Sequence, residues 1–178
     1  MVCVMLLTDT LEAGAHRVTA RAARPEDAAF LQSVYASTRE QELAPVPWTD
    51  EEKRRFIAHQ FSAQAEAYRK NYPGAEFLVL VVDGADAGRL YVHRRPDEIR
   101  IMDIALLPLF RRRGIGAAVL RRILDEGARR GKRVTIHVEI FNPAMRLYER
   151  LGFRQIASGR DDPVYRLMEW RAENGPAT

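Results

Sequence analysis

Cysteine is nearly absent from this chain. Cys3 stands alone, which excludes an intramolecular disulfide framework and any metal site built from several thiolates, and agrees with a reducing compartment. His16, His59, His93 and His137 lie far apart, without the spacing of metal-ligand pairs, so no metal is expected. Lysine is scarce as well. Of 28 basic residues only Lys53, Lys70 and Lys132 are lysines, so the formal net charge of +4 rests on arginine, whose planar fork suits phosphate. The excess is small and mixed with 24 acidic residues, whereas nucleic-acid binding calls for a broad basic surface; no nucleic-acid partner is expected. No apolar run is long enough to span a bilayer, so no membrane partner is expected either. The apolar opening from Val2 to Leu7 is short, has no basic residue before it, and runs into Asp9 and Glu12 where a signal peptide would offer small residues for cleavage. Internal repeats and low-complexity blocks are lacking too.

What remains is 178 residues, 47% of them hydrophobic, enough for one domain with a real core. Residues 1–16 read as a flexible N-terminal extension, which an upstream start codon would also explain, 17–171 as a single domain, and 172–178 as a frayed tail. The alternation from Arg17 to Ala22 predicts a strand. Pro25, Glu26 and Asp27 then open a helix with Phe30, Leu31, Val34 and Tyr35 on its buried side. Pro45 and Pro47 predict a loop from Ser37 to Thr49, and apolar residues at 57, 61, 65 and 68 a second helix over Asp50 to Lys70. Phe77 to Val82 and Ala87 to His93 form a hairpin across Asp83-Gly84. A third strand, Glu98 to Leu107, is apolar enough at its end to expect burial on both faces. An amphipathic helix from Gly114 to Arg130 ends at Gly131, a strand spans Arg133 to Ile140, and Asn142 caps a helix that has Pro143 at its first position and runs to Gly152. Phe153 to Ala157 and Val164 to Trp170 close the sheet as an antiparallel pair.

The sharpest feature is Arg111-Arg112-Arg113-Gly114-Ile115-Gly116, between the third strand of the meander and the amphipathic helix. Its glycines let backbone approach a ligand closely, and the unpaired N–H groups of the helix start form an anion site. Alone, such a turn with solvated arginines is an ordinary connection. Val119 stands where a dinucleotide fingerprint needs its third glycine, and no Gly-Lys-Ser/Thr follows, which sets aside the Rossmann and P-loop readings. About thirty residues on comes a second motif, from Asn142-Pro-Ala through Leu147-Tyr148 to Gly152-Phe153.

The order of strand, Arg-x-x-Gly-x-Gly, helix, strand, Asn-x-Ala, Leu-Tyr and Gly-Phe resembles the GNAT superfamily of acyl-CoA-dependent N-acetyltransferases, from about Arg17 to Trp170. The resemblance implies an α/β (α+β) fold: a mixed, mostly antiparallel sheet flanked by helices, with a splayed pair of central strands. It implies a cytoplasmic enzyme that moves the acetyl group of acetyl-CoA, its co-substrate, onto an amine. The pyrophosphate of the coenzyme is expected on Arg111, Arg112, Arg113, Gly114, Ile115, Gly116 and Ala117. The pantetheine arm is expected along Ala105 and Leu106 and beside Asn142, although helix capping explains Asn142 about as well. Tyr148 matches the family's general acid to the departing thiolate, against a simpler reading as a core aromatic. Where many relatives carry a glutamate base, five positions before the asparagine, this chain has His137, whose reference pKa near 6.5 suits proton acceptance. Glu139 and Asp103 remain alternatives, as orienting groups, bases acting through water, or structural carboxylates.

The partners expected are acetyl-CoA and an amine acceptor, with homodimer formation left open. The acceptor side falls to the first two helices and their loop, with Arg39, Glu40, Glu42, Trp48, Tyr68 and Tyr91 as candidates. Glu40, Glu42, Asp50, Glu51 and Glu52 together suggest an acidic mouth for a cationic amine or a flexible amino terminus, while Asp50 to Glu52 also suit a helix start. A module that binds acyl-CoA without turnover is the alternative reading: the missing glutamate favours it, and Tyr148 with the intact glycines opposes it.

Overall fold

The computed structural model of the chain describes residues 10–157 and 163–172. Eight strands, β1 (Leu11–Ala13), β2 (His16–Ala22), β3 (Glu76–Val82), β4 (Ala85–Arg94), β5 (Glu98–Leu106), β6 (Arg133–Glu139), β7 (Arg154–Gln155) and β8 (Tyr165–Trp170), form one sheet. Their spatial order is β1-β2-β3-β4-β5-β6-β8-β7. Every neighbouring pair is antiparallel except β5 with β6. Four α-helices flank the sheet: α1 (Ala28–Leu43), α2 (Asp50–Asn71), α3 (Ile115–Arg130) and α4 (Met145–Arg150). The mixed, mostly antiparallel α/β architecture expected from the sequence is the one observed.

Period-two alternation sorts the strand side chains onto two faces. Leu78, Leu80, Leu90 and Val92 enter the main core with Ile115, Val119 and Ile123 of α3. Val79, Arg89 and Tyr91 occupy the reverse face, buried on the side where α1 contributes Leu31, Val34 and Tyr35. The β3–β4 hairpin turns through Asp83 and Gly84, both at positive φ, as a tight two-residue turn requires. Helix α3 lies so close to β6 that a Cβ on Gly127 would stand 2.8 Å from Val134 Cγ2, so only glycine fits there.

Three boundaries and one burial expectation differ from the sequence reading, each for a local reason. The expected 1–16 extension contains β1, which pairs with β2 through Leu11↔Val18 and Ala13↔His16; residues 1–9 and the tail from 173 lie outside the described residues. Helix α1 runs on to Leu43 because Pro45 bars helix only around itself, so the loop is shorter than expected. Regular helix after β6 starts at Met145, preceded by a turn in which Asn142 Oδ1 accepts from Ala144 N–H (2.9 Å). The end of β5 is half-buried rather than buried on both faces, because its neighbour β6 leaves it there.

Candidate active site

Strands β5 and β6 pair only from Glu98↔Arg133 to Ile101↔Ile136. At that point β5 carries a bulge: Val92 of β4 faces Ile101 while Tyr91 faces Asp103, which leaves Met102 as the extra residue. A bulge bends its strand and raises the local twist, so β5 diverges from β6 beyond it. Leu107 N–H donates to Ala87 O (2.9 Å), and Arg89 stands opposite Ala105. Ala105 and Leu107 therefore turn their backbone groups toward β4. Ile104 and Leu106 turn theirs into the gap that β6 has vacated.

The gap leads to the start of α3. Gly114 caps that helix in the left-handed region (φ 80°), and Arg112 before it also has positive φ (60°). Ala118 N–H closes the first helical bond onto Gly114 O, so the N–H groups of Ile115, Gly116 and Ala117 precede the ladder. A Cβ built on Gly114 would meet no heavy atom within 4 Å, and one on Gly116 would reach only Leu106 Cδ1, at 4.0 Å. The loop surface is thus open, anion-seeking and adjacent to the free end of β5, which fits a phosphate-bearing ligand with a linear arm.

The three arginines of the loop do not act alike. Arg112 and Arg113 are exposed. Arg111 turns back: its Nε donates to Leu106 O (2.7 Å) and its Nη2 to Ser37 Oγ (2.8 Å) and Ser37 O (3.1 Å). Its guanidinium therefore ties the loop to α1 and the end of β5, and only its main chain remains for a ligand. The Ile115 side chain is core, so it too can contribute main chain alone.

On the far side of the gap lies a cleft of about 180 Å³ between α1, α2 and the splayed strands. Tyr148 reaches it from α4, 4% exposed, with its ring edge-on to Phe153 (5.8 Å between centroids). Burial, with a smaller contribution from the Asp103 charge, pushes its phenol well above the usual range, so it is a neutral O–H at any physiological pH. Asp103 lines the same cleft and is held by Arg89 Nη2 (2.5 Å). Burial raises the Asp103 carboxyl, and the Arg89 charge opposes that shift. His137 also lines the cleft, and its Nδ1 lies 2.5 Å from Arg100 Nη2. A guanidinium only donates, so Nδ1 is the acceptor there and a neutral ring carries its proton on Nε2. Glu139 accepts from Arg39 Nη1 (3.3 Å) and Tyr165 O–H (3.0 Å), closing the cleft from α1 to β6.

The cleft thus gathers Tyr148, His137, Ala105 and Asn142 with the alternatives Asp103 and Glu139. Of the acceptor-side candidates, Arg39, Glu42 and Tyr68 line it, and Tyr91 is buried, edge-on to the Tyr68 ring. The acidic mouth does not assemble. Glu40 does not line the cleft, Glu51 pairs with Arg54, Glu52 forms a capping box with Thr49, and Trp48 of the loop packs on Phe56 of α2. Carboxylate charge comes instead from Glu42, Asp103 and Glu139, set against Arg39 and Arg89. Sequence reasoning missed Arg89, Gln64, Tyr35 and Tyr165. Only Arg89 carried a signal, a charge in the apolar middle of a strand on the face opposite Leu90 and Val92. Among the described residues no group of three His, Cys, Asp or Glu side chains is arranged to hold a metal ion, and no helix is long and apolar enough to cross a membrane.

The model of the acetyltransferase (GNAT) family matches residues 31–153, which include the α3 loop, both splayed strands and Tyr148. A [ribosomal protein bS18]-alanine N-acetyltransferase of Salmonella typhimurium strain LT2 is 30% identical over 122 residues, covering 66% of this chain and 78% of that protein. Among solved structures, the PaiA N-acetyltransferase of Thermoplasma acidophilum in complex with coenzyme A superposes with a TM-score of 0.65 at 17% identity, over 87% of this chain and 99% of that one. RimL, a ribosomal L7/L12 α-N-protein acetyltransferase in complex with coenzyme A, gives 0.60 at 16% identity, over 92% and 98%.

Proposed function

Because the chain belongs to the acetyltransferase (GNAT) family, we propose that it moves the acetyl group of acetyl-CoA directly onto a primary amine, on a small molecule or a peptide amino terminus, in the cytoplasm. The observation that carries this reading is the junction of two surfaces at the bulge of β5: an open helix start with a free strand end, and a cleft holding a neutral phenol beside a carboxylate. Acetyl-CoA supplies the acyl group. The main chain of Arg111 to Ala117, with the exposed Arg112 and Arg113 side chains, takes the pyrophosphate. The backbone of Ile104 and the N–H of Leu106, whose carbonyl already accepts from Arg111, face the pantetheine beside Ala105 and Asn142, and the N–H of Leu106 polarises the thioester carbonyl.

In the transfer the amine nitrogen forms a bond to the acyl carbon and the carbon–sulfur bond breaks. The amine proton goes to a base of the cleft and the thiolate is met by the Tyr148 O–H. His137 is the base implied by its position. Its Nδ1 is engaged by Arg100, so accepting a proton there costs that contact; Asp103, an acceptor already set beside Tyr148, is its competitor. A module that only binds acyl-CoA would have no use for a buried neutral phenol at the acyl end of the site. A panel of small amines and peptide amino termini tests the proposal by free-thiol release together with mass detection of the product. Equal amounts of thiol and N-acetylated amine are expected. Acetyl-CoA binding without any acetylated amine across the panel would favour the binding module.

A further inference from the structure

The bulge at Met102 sets the face of every residue after it. Ile99 and Ile101 enter the main core before the bulge, and Ile104 and Leu106 pack against that core after it. The extra residue shifts the two-residue alternation by one, so Asp103 leaves the core face and joins Arg89 and Tyr91 on the reverse face, where it lines the cleft. Arg89 stands behind it: 2% of the arginine side chain is exposed, against 17% of Asp103. The guanidinium can therefore act on an acceptor only through that carboxylate. Its Nη2 donates to Asp103 Oδ2 (2.5 Å) and to the neutral Gln64 Oε1 (3.2 Å), and Asp103 is its sole ion-pair partner among the described residues. The rings of Tyr35 and Tyr91, centred 5.4 Å and 5.1 Å from Cζ, favour a cation there without neutralising it. The other groups about the cleft leave this pair alone. Tyr68 of α2 and Tyr148 of α4 are phenols kept neutral by burial. Arg39 of α1 is shared between Glu42 (2.9 Å) and Glu139 (3.3 Å), and on β6 Glu139 also accepts from Tyr165 while His137 meets Arg100 through Nδ1.

We propose that Arg89 is a positioning residue for acetyl transfer: it holds Asp103 as a carboxylate on the cleft wall, and Asp103 takes the proton that the amine loses as its nitrogen bonds to the acyl carbon. The inference rests on the acetyltransferase reading and assigns the base within it. Burial favours the protonated form of Asp103, and a protonated carboxyl cannot serve as the base. Arg89 opposes that from a site closed to solvent, where its charge is little screened. The contact also survives the reaction, since Asp103 meets Arg89 through Oδ2 and has Oδ1 for the proton. His137, by contrast, gives up Arg100 to take a proton on Nδ1.

The test follows kcat/KM against pH for the full-length protein with saturating acetyl-CoA, using each amine or peptide of the panel that the wild type acetylates and expressing rates per unprotonated amine. Loss of a neighbouring cation raises a carboxyl pKa by about 1–3 units. Arg89→Met is therefore expected to move the acid limb of the profile toward alkaline pH by that amount, a loss of roughly 10- to 1,000-fold on the limb, with the alkaline plateau largely kept. Arg89→Lys keeps the charge without the fork and should move the limb less. A limb that stays in place while the plateau drops makes Arg89 a packing residue and overturns the proposal. Infrared difference spectra, with Asp103→Asn to assign the band, read the carboxyl directly: ionised at about pH 7 in the wild type, and protonated to higher pH in Arg89→Met. A wild-type carboxyl still protonated at neutral pH overturns the proposal even if neither Arg89 variant folds. Either contrary result leaves the acetyltransferase reading standing. Acetyl-CoA binding with no acetylated amine across the panel overturns that reading and the base role together.

Discussion

Tyr148 and Asp103 place a proton donor and a proton acceptor on the lining of one cleft. Burial disfavours charge on both: it keeps the phenol protonated and raises the carboxyl, against which Arg89 works. A phenol so weakly acidic is a poor source of a fully transferred proton to a thiolate whose own pKa is about 8.5, and acts mainly by hydrogen bonding to charge as it develops on sulfur. Tyr148→Phe is accordingly expected to lower turnover by roughly 10- to 1,000-fold with little change in the acetyl-CoA dissociation constant. Unchanged turnover, with chemistry limiting, would leave the tyrosine as packing. The wild-type rate should also show no alkaline decline from this phenol below about pH 10. The base has a sign of its own. A carboxylate accepts a proton only when ionised, so if Asp103 is the base the rate falls as pH drops through its raised pKa, and Asp103→Asn removes that limb while His137→Ala leaves it. The reverse pattern in kcat against pH assigns the role to His137.

Two elements fix where these residues meet: the left-handed turn into α3 and the bulge of β5. Gly114→Val would force a β-branched side chain into a positive φ, where each L-residue costs on the order of 1–2 kcal/mol, and would fill the open face of the loop. At least about a 10-fold weaker acetyl-CoA affinity is expected in a variant with a normal circular dichroism spectrum; normal affinity would remove the proposed coenzyme site. Entry into α1 rests on Asp27, whose carboxylate accepts from Arg21 Nη1 (2.7 Å) and Nη2 (2.9 Å) and from Arg24 N–H (2.7 Å). The Arg21 bonds, then that of Arg24, hold its pKa down to about 2. A lowered carboxyl stabilises the fold fully above its unfolded value near 3.9, and the contribution fades as pH falls toward 2. Asp27→Asn should therefore lower Tm at pH 7, and the gap from wild type should close in strong acid. The strands, helices and glycine turns were legible in the sequence because period and punctuation are local. The apolar run ending in Leu106 and Leu107 misled for a physical reason: apolar strand ends are read as buried, and the divergence that exposes this one arises from a bulge, which depends on which residues of β4 pair with it. Arg89 escaped for a similar reason. Its partner lies on another strand and its flanking rings on α1 and β4, a conjunction that no linear pattern records.

At the scale of the molecule, a basic chain encloses a cleft whose carboxylates outnumber its guanidiniums, so the local field runs opposite to the net charge of +4. The sequence located acidic character on the α1–α2 loop, but there it serves capping and surface pairs; the structure draws it from α1, β5 and β6 instead. Helix α1 also joins the two halves of the site, since Ser37 holds Arg111 of the coenzyme loop and Arg39 holds Glu139 across the cleft. Salt should then weaken capture of a cationic acceptor, seen as KM rising with ionic strength at constant pH, because opposite charges attract less as the Debye length shortens. The claim on which the rest depends is that coenzyme and acceptor meet where β5 parts from β6. A crystal structure of the full chain with an acetyl-CoA analogue that resists transfer tests it most directly. The account predicts the pantetheine paired with Ile104 and Leu106, the pyrophosphate on the start of α3, and the acyl carbon facing the Tyr148 cleft. A coenzyme bound outside the β5–β6 gap, or an acyl group pointing away from Tyr148, would contradict it.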